Sequence, residues 1–245
     1  VNYNRDVEIF PVLKAMLERI QGVSPYNSPT DMGVNMAGFA IVDDDACRDA
    51  SCREIVRRYF HSAEDCKRSG AGEQELHKIE LLMSRVGISA DVLPARKACL
   101  EKEEATGGPS GAIELPNGTV VTGKTGNLMG CASSLLMNAL KALAGVDDDL
   151  LVIDDEVIAP ICHLKTEHLK STNPRLHSDE TFRALAVSSR GNAIAAQLMD
   201  SINKLKGCDA HFSVIISPTD ENLYRTLGIN VSCEPKFEQR RFYHK

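Results

Sequence analysis

The sequence predicts an α/β protein in which a helical segment precedes a layered arrangement of strands and helices. Three observations support this prediction. Apolar residues recur at helical spacing through the first hundred residues. A run of Thr, Gly, Pro and Ser at Thr106–Gly111 then interrupts the pattern. Beyond it, strand-like and helix-like stretches alternate. We therefore predict a helical domain at residues 1–105 and an α/β domain at residues 106–245.

Four helices are predicted in the first domain. Asp6–Ile20 has apolar residues at helical spacing. The acidic residues Asp43–Asp45 are placed to cap a long amphipathic helix. A third helix is expected over Glu73–Val86, because Gly87 provides a stop signal. The fourth covers about Asp91–Glu104 and reaches the predicted boundary.

The second domain opens with a predicted β-hairpin. Short apolar runs flank Asn117-Gly118, and Asn-Gly in that position is the strongest short-range hairpin signal. Two later strands are expected, at His211–Ile216 and at Ile229–Ser232. The predicted helices of this domain are at about 128–143, 155–169, 178–189 and 192–205, with a short one ending at Leu227.

Composition excludes several classes of protein. Of the 245 residues, 43% are apolar and 25% are charged, which is typical of a soluble globular protein. No apolar run approaches the roughly 20 residues that a membrane helix needs. The net charge of -6 disfavours nucleic acid as a partner, because binding to a phosphate backbone favours a basic surface. We therefore predict no membrane and no nucleic-acid partner.

The cysteines indicate a reducing environment. Eight of them are scattered along the chain and no C-x-x-C occurs, so neither a disulfide framework nor a zinc ribbon is expected. Reduced thiols in a cytoplasmic protein are the simpler interpretation. The chain begins at Val1 without an initiator Met, which predicts a processed chain or a part of a longer protein.

One stretch formally matches a phosphate-binding loop. Gly118–Thr125 fits G-x-x-x-x-G-K-[ST], in which backbone amides, Lys124 and Thr125 would hold phosphates and Mg²⁺. The same residues fit the second strand of the hairpin better, because Val120 and Val121 are strand formers and Gly126 stands where a helix should already run. Lys124 still remains a candidate for binding an anion beside the next helix start.

The tetrapeptide Ser-Pro-Thr-Asp occurs twice, and each copy is typical of a helix start with Ser as N-cap and Pro in the first turn. For Ser217–Asp220 we adopt this structural interpretation. The copy at Ser28–Asp31 continues into a stretch with two glycines and Asn35, which a plain helix would avoid. Thr30, Asp31 and Asn35 are therefore candidate ligand-binding residues.

Several long motifs resemble the bacterial family called domain of unknown function 1846. The resemblance covers the whole chain. The motifs that carry it are Val1–Lys14, Ser24–Asn35, Glu114–Thr125, Gly207–His211 and Phe242–Lys245.

The resemblance implies more than the residue patterns do. Family members are about twice this length, so the chain is expected to be the C-terminal half, with a Rossmann-like half bearing its own phosphate loop missing. The α/β part is expected to have a three-layer αβα, cytidine deaminase-like fold. Zinc deaminases need [HC]-x-E and P-C-x-x-C. Here Cys131 and Ser217–Asp220 stand at those places without the Glu or the two thiolates, so no metal is predicted.

Two functions remain open on the sequence. In the first, the chain is part of an enzyme that binds a small phosphorylated or nucleotide-like ligand at the interface with the N-terminal domain of the same protein. In the second, it is a non-catalytic binding or oligomerisation module on a deaminase-like scaffold, and a homo-oligomer fits either. The sequence assigns no catalytic residue and no cofactor. The candidate ligand-binding residues are Thr30, Asp31, Asn35, Lys124, Thr125 and Lys165.

Overall fold

The computed structural model describes residues 12, 15–23 and 44–238. Val12 and residues 15–21 are helical, in agreement with the predicted first helix, whose other residues lie outside the described part. The chain divides into two compact units, Val1–Leu93 and Pro94–Lys245. In the described part of the chain, no helix is both long and apolar enough to span a membrane.

The first unit contains two long helices, α1 (Asp44–Ser69) and α2 (Glu73–Val86), and a short 3-10 helix (Ala90–Val92). The predicted bounds of α2 are confirmed. Gly87 ends this helix because it adopts a left-handed φ of 73° and donates its N–H to Met83 O. The buried side chains that hold the unit together are Ile55, Val56, Phe60, Ile79, Leu82 and Leu93.

The second unit begins one helix earlier than the domain boundary predicted at residues 105/106. Helix α3 (Pro94–Thr106) belongs to it, because Ala95 and Cys99 are buried with Ala112 of the sheet. The Cys99 thiol also donates to Ser110 O over 3.3 Å. Apolar spacing alone predicts that this segment is helical but not which unit it packs against.

The second unit is built on a four-stranded mixed sheet in the order β2-β1-β3-β4. Its strands are β1 (Ser110–Glu114), β2 (Val120–Lys124), β3 (Asp209–Phe212) and β4 (Asn230–Cys233). Strand β1 is antiparallel to both of its neighbours, whereas β3 and β4 are parallel. The predicted strand at 211–216 ends early because Ser213 N–H bonds to Ser110 O, at the start of β1, which runs no further.

The hairpin prediction is confirmed. Strands β1 and β2 pair from Ser110 opposite Lys124 to Glu114 opposite Val120. At the tip, Leu115 N–H donates to Thr119 O and Gly118 takes a φ of 80°, which favours glycine. The formal phosphate-loop match therefore lies on a hairpin strand.

Helices pack on both faces of the sheet. On the face opposite α3 lies α4 (Cys131–Ala144), whose Leu135, Leu136 and Leu140 are completely buried. The remaining helical segments are α5 (Asp155–His163), a π-helical turn (Leu164–His168), α6 (Ser178–Ser188), α7 (Ala193–Asp200), a 3-10 helix (Ile202–Leu205) and α8 (Pro218–Thr226).

Gly123 allows β2 to approach α4 closely. A Cβ atom at this position would lie 2.4 Å from Leu135 N and 2.6 Å from Leu135 Cα, which are backbone atoms of the helix. Gly123 therefore faces α4. Because side chains alternate along a strand, the Lys124 side chain is directed to the opposite face of the sheet.

We expect Gly123→Ala to destabilise the second unit by about 2–3 kcal/mol, because backbone atoms of α4 would have to shift. The measurement is urea unfolding followed by circular dichroism. Gly191→Ala is the matched control, since a Cβ there meets nothing within 4 Å; its free energy of unfolding should stay within about 0.5 kcal/mol of the parent. Equal stability of the two variants would contradict the close-packing argument.

Candidate functional site

Helix α8 is joined to the first turn of α4 by a buried hydrogen bond. Tyr224, on α8, is buried and donates its hydroxyl to Ala132 O in the first turn of α4 over 2.8 Å. Helix α8 begins as the sequence predicts: the Ser217 hydroxyl accepts the N–H of Asp220, and Pro218 occupies the first turn.

A short extended segment around Leu176 lies beside the start of α4. Leu176 pairs with Met129 in a parallel bridge and donates its N–H to Leu128 O over 2.8 Å. The Ser133 hydroxyl of α4 donates to Leu176 O. Leu176 is buried, and His177, which follows it in an extended conformation, begins the turn into α6.

Asp220 is the buried centre of the site, with only 7% of its surface exposed. Its carboxylate accepts hydrogen bonds from the Ser178 N–H (2.8 Å), the Ser178 hydroxyl, the Ser217 hydroxyl (2.7 Å) and His177 Nδ1 (3.2 Å). Burial by itself raises the pKa of this carboxyl group, but the hydrogen bonds from His177, Ser178 and Ser217 outweigh it and lower the pKa to about 2. Asp220 is therefore ionised at neutral pH.

His177 connects this buried carboxylate to solvent, since 31% of its side chain is exposed. The hydrogen bond to Asp220 raises the pKa of the imidazole, although burial opposes this. The backbone N–H of His177, at the start of α6, donates to Glu180 Oε2 over 2.8 Å. Within residues 44–238, no hydrogen bond is made by His177 Nε2.

A second ion pair, between Lys165 and Glu180, lies next to this segment. Lys165, only 6% exposed, donates to Glu180 Oε2 over 2.7 Å and to Arg175 O over 2.6 Å. The Arg175 guanidinium donates from Nε to Gly126 O over 2.8 Å. Lys165 thus holds the backbone of Arg175 in place, and the Arg175 guanidinium holds the loop before α4.

Cys131, the first residue of α4, is a protonated thiol. Burial is the main reason that its pKa is raised to about 12, and the nearby carboxylates of Glu238 and Asp220 add to this effect. A hydrogen bond with the Thr125 side chain opposes the shift. Since the thiolate is the nucleophile and the metal ligand, Cys131 is not suited to either role at neutral pH.

The described residues contain neither a disulfide nor a cluster of side chains that could hold a metal ion. No disulfide joins any of the eight cysteines, all of which lie in the described range 44–238. In the described residues, no group of three or more His, Cys, Asp or Glu side chains is arranged to hold a metal ion.

The structure separates the candidate ligand residues of the sequence analysis. Thr125 contacts Cys131 at the start of α4, and Lys165 is paired with Glu180 two residues inside α6. Lys124 is exposed and belongs to the other face of the sheet. Thr30, Asp31 and Asn35 lie outside the described residues. Ligand binding by all six of these residues remains a prediction.

The sequence analysis did not identify His177 or Asp220 as a pair. Ser217–Asp220 has the pattern of a local helix start, and the structure confirms the Ser217 N-cap. The further partners of Asp220 lie 42 and 43 residues earlier in the chain. The one available signal is His177-Ser178 directly before a predicted helix, and it does not indicate a distant carboxylate.

Two family models match the chain. The model described as "Domain of unknown function DUF1846, N-terminal" matches residues 1–87, and the one described as "Domain of unknown function DUF1846, C-terminal" matches residues 91–243. The first 87 residues therefore correspond to the N-terminal model. This corrects the prediction that the chain represents only the C-terminal half. The transition between the models falls close to the division between the two compact units at Leu93 and Pro94.

Two curated proteins that are similar to the chain come from streptococci. A UPF0371 protein of Streptococcus thermophilus (strain CNRZ 1066) is 51% identical over 245 residues, and one of Streptococcus pneumoniae (strain 70585) is 50% identical over 245 residues. Each match covers 100% of this chain and 50% of the relative. The chain thus spans about half the length of the curated relatives it matches.

We expect Asp220→Asn to lower the free energy of unfolding by about 2 kcal/mol at pH 7, since a carboxyl pKa shifted from 3.8 to about 2 corresponds to about 1.4 kcal/mol per pH unit. The carboxyl pKa is lower in the folded than in the unfolded chain. Its contribution is therefore complete above about pH 4 and is lost as the pH falls through 2.

Urea unfolding between pH 7 and pH 2 measures this effect, with the exposed Asp200→Asn as control. The difference between Asp220→Asn and the parent chain should shrink in acid, whereas Asp200→Asn should match the parent throughout. A difference that does not depend on pH would contradict the assignment of an ionised, hydrogen-bonded Asp220.

Proposed function

Because the chain belongs to the DUF1846 family, as its motifs predict, and spans about half the length of its curated relatives, we propose that it forms part of a larger enzyme that binds a small phosphorylated or nucleotide-like molecule. In this proposal the ligand lies against His177, and the remainder of a protein of the relatives' length supplies the opposite wall. That remainder is the proposed partner, in a Rossmann-like form, and self-association is compatible with it.

The observation that carries the proposal is the half-buried imidazole of His177, which is hydrogen-bonded through Nδ1 to the ionised Asp220. A surface histidine rarely has a carboxylate that is itself fixed by three further hydrogen bonds. The raised pKa of His177 favours the imidazolium form, which donates a proton from Nε2 to an anionic oxygen.

Arg175 offers donors to an anionic ligand. Asp220 pairs with His177 and Glu180 pairs with Lys165, so these four groups form two ion pairs. Arg175 lies two residues before His177 and bonds to the loop before α4. Its Nε–H is used by Gly126 O, and in the described residues its remaining N–H groups have no hydrogen-bond partner. Guanidinium groups recognise phosphate oxygens well.

The fold supports the position of this site. We propose that the second unit has the three-layer, cytidine deaminase-like architecture, because a hairpin leads into α4 and Tyr224 of α8 bonds to the first turn of α4. Zinc deaminases hold their metal with residues at the starts of these two helices. In this chain the corresponding places carry the protonated Cys131 and the hydrogen-bonded Asp220. The same location on the scaffold would thus serve a different, histidine-based site.

A non-catalytic module for binding or oligomerisation is the second candidate function. The observation that favours it is Cys131, which is buried and protonated at the place where an activated group would be expected. For either function we propose a cytoplasmic protein, since no disulfide joins the cysteines of the described region and reduced thiols are typical of that compartment.

A thermal-shift screen of the protein at the full length of its curated relatives tests the proposal, because the proposed site has a wall outside these 245 residues. Nucleotides and sugar phosphates are compared with their unphosphorylated parents at pH 6 and pH 8. At a ligand concentration of a hundred times Kd the stabilisation is about 2.7 kcal/mol, which raises Tm by about 5 °C or more. The shift should be smaller at pH 8, because the imidazolium of His177 loses its proton as the pH rises through its pKa.

Three variants locate the ligand. His177→Gln should remove most of the shift, and Lys97→Ala, an exposed cation that pairs only weakly with Glu101, should leave it unchanged. Lys124→Ala tests the sequence-based prediction. A shift that survives in His177→Gln and is lost in Lys124→Ala would assign the ligand to the other face of the sheet. The absence of any phosphate-dependent shift would support the non-catalytic module.

A further inference from the structure

We propose that His177 is a catalytic proton acceptor, acting through Nε2, and that Asp220 is the positioning residue that keeps the imidazole in the form with its proton on Nδ1. This inference rests on the proposed function in one respect, since it takes His177 to lie at the ligand. It does not depend on the ligand being phosphorylated.

The hydrogen bonds around Asp220 fix the tautomer of His177. An ionised carboxylate can only accept hydrogen bonds, so Nδ1, which lies 3.2 Å from Asp220 Oδ2, carries the proton. In the neutral ring Nε2 then holds a lone pair, and this nitrogen is on the partly exposed side chain. The ring and carboxylate are thus arranged as a base and the group that orients it.

The orientation of Asp220 is in turn fixed by donors on two other residues. The Ser178 backbone N–H can only donate, and it donates to Oδ1 over 2.8 Å. The Ser217 hydroxyl donates to Oδ2, the oxygen that also faces His177. Because Ser217 caps α8 and Ser178 begins α6, the carboxylate is held between two helix starts rather than on a mobile loop.

The start of α6 is closed by a capping box between His177 and Glu180. The backbone N–H of His177 donates to Glu180 Oε2, and the His177 side chain faces the backbone N–H of Glu180. Beyond this local role, the imidazole makes a contact that capping does not require, through Nδ1 to Asp220 on α8.

The groups around the imidazole make it a stronger base. Asp220 on α8 and Glu180 on α6 raise the pKa of His177, whereas burial and Lys165 of the π-helical turn lower it, and the net shift is upward. A higher pKa strengthens the drive to take up a proton at Nε2.

In the proposed step His177 takes a proton and later gives it back. As the oxygen of water or of a ligand hydroxyl forms a bond to an electrophilic carbon or phosphorus atom of the ligand, its O–H bond breaks and a new N–H bond forms at Nε2. The electron pair of the broken O–H bond stays on the oxygen. The bond between the attacked atom and the leaving group then breaks with its electron pair on the leaving group, which takes the Nε2 proton from the imidazolium, while the Nδ1–H bond to Asp220 is kept. No oxidant, reductant or metal is needed.

The first test determines the tautomer directly. Nitrogen-15 NMR of the histidine side chains in the 245-residue chain, recorded above the pKa of His177, should show His177 with a protonated Nδ1 and an unprotonated Nε2. His77, whose side chain is 69% exposed, serves as the internal reference for an ordinary histidine. An Nε2-protonated ring at His177 in the parent chain would overturn the proposal, and this measurement needs no variant.

The second test measures the reactivity of Nε2 with diethyl pyrocarbonate, which acylates unprotonated imidazole. Peptide mapping gives the rates for His177 and His77 across the pH range. The pH midpoint of His177 should lie above that of a free histidine side chain, and its plateau rate should be at least as high as that of His77. A His177 that reacts more slowly than His77 at the plateau would show that Nε2 is not an accessible base.

Asp220→Asn supplies the mechanistic comparison. Ser178 N–H keeps an oxygen at the Oδ1 position, so the new amide nitrogen faces His177 and donates to Nδ1, which moves the ring proton to Nε2. The plateau rate should fall by about tenfold, the factor that one hydrogen bond of about 1.4 kcal/mol corresponds to, and the midpoint should fall as well. Unchanged values in a folded variant would reduce Asp220 to a structural residue.

The outcomes separate this inference from the proposed function. Phosphate-dependent stabilisation together with an Nε2-protonated His177 would support the ligand site and contradict the role of His177 as a proton acceptor. A correct tautomer and a reactive Nε2 without phosphate-dependent stabilisation would leave the base standing and change the ligand class.

Discussion

The buried carboxylate of Asp220 is the interaction on which the site depends. It lies at the start of α8 and accepts hydrogen bonds from the start of α6 and from the cap of its own helix. An isolated charge at this depth would be costly to bury, and four donors offset that cost. The same bonds decide where His177 points, since its Nδ1 is one of the four donors. Local stability and the direction of the imidazole therefore have a single physical cause.

Packing against the sheet positions the start of α4 next to α8. Gly123 lets β2 lie against the backbone of α4, and this fixes the first turn of α4 relative to the sheet. Tyr224 then connects that turn to α8 through a buried hydrogen bond to Ala132 O. A side chain at position 123 would separate β2 from α4 and so act on the site without touching it. The close packing of the core and the geometry of the site are thus coupled.

Signals that act between neighbours in sequence were sufficient for much of the fold. Asn117-Gly118 predicts the hairpin, Gly87 predicts the end of α2, and Ser217 predicts its own capping bond, because each depends on backbone conformations a few residues apart. The pairing of His177 with Asp220 spans 43 residues and depends on how two helices pack, so no periodicity reveals it. The same reason explains why the sequence finds α3 as a helix but not the sheet it covers.

The position of Lys124 decides how the candidate residues can work together. Gly123 faces α4, so Lys124 faces the side of the sheet that α3 covers, whereas Thr125 again contacts the first residue of α4. Lys124 is exposed on the edge strand of the hairpin, whereas Lys165 is buried against Glu180 of α6. The described residues that the sequence groups around a phosphate loop are therefore spread over several elements and do not form one cluster. What the structure brings together instead is a fixed carboxylate and the imidazole that it orients, because packing between α6 and α8 joins residues that are far apart in the sequence.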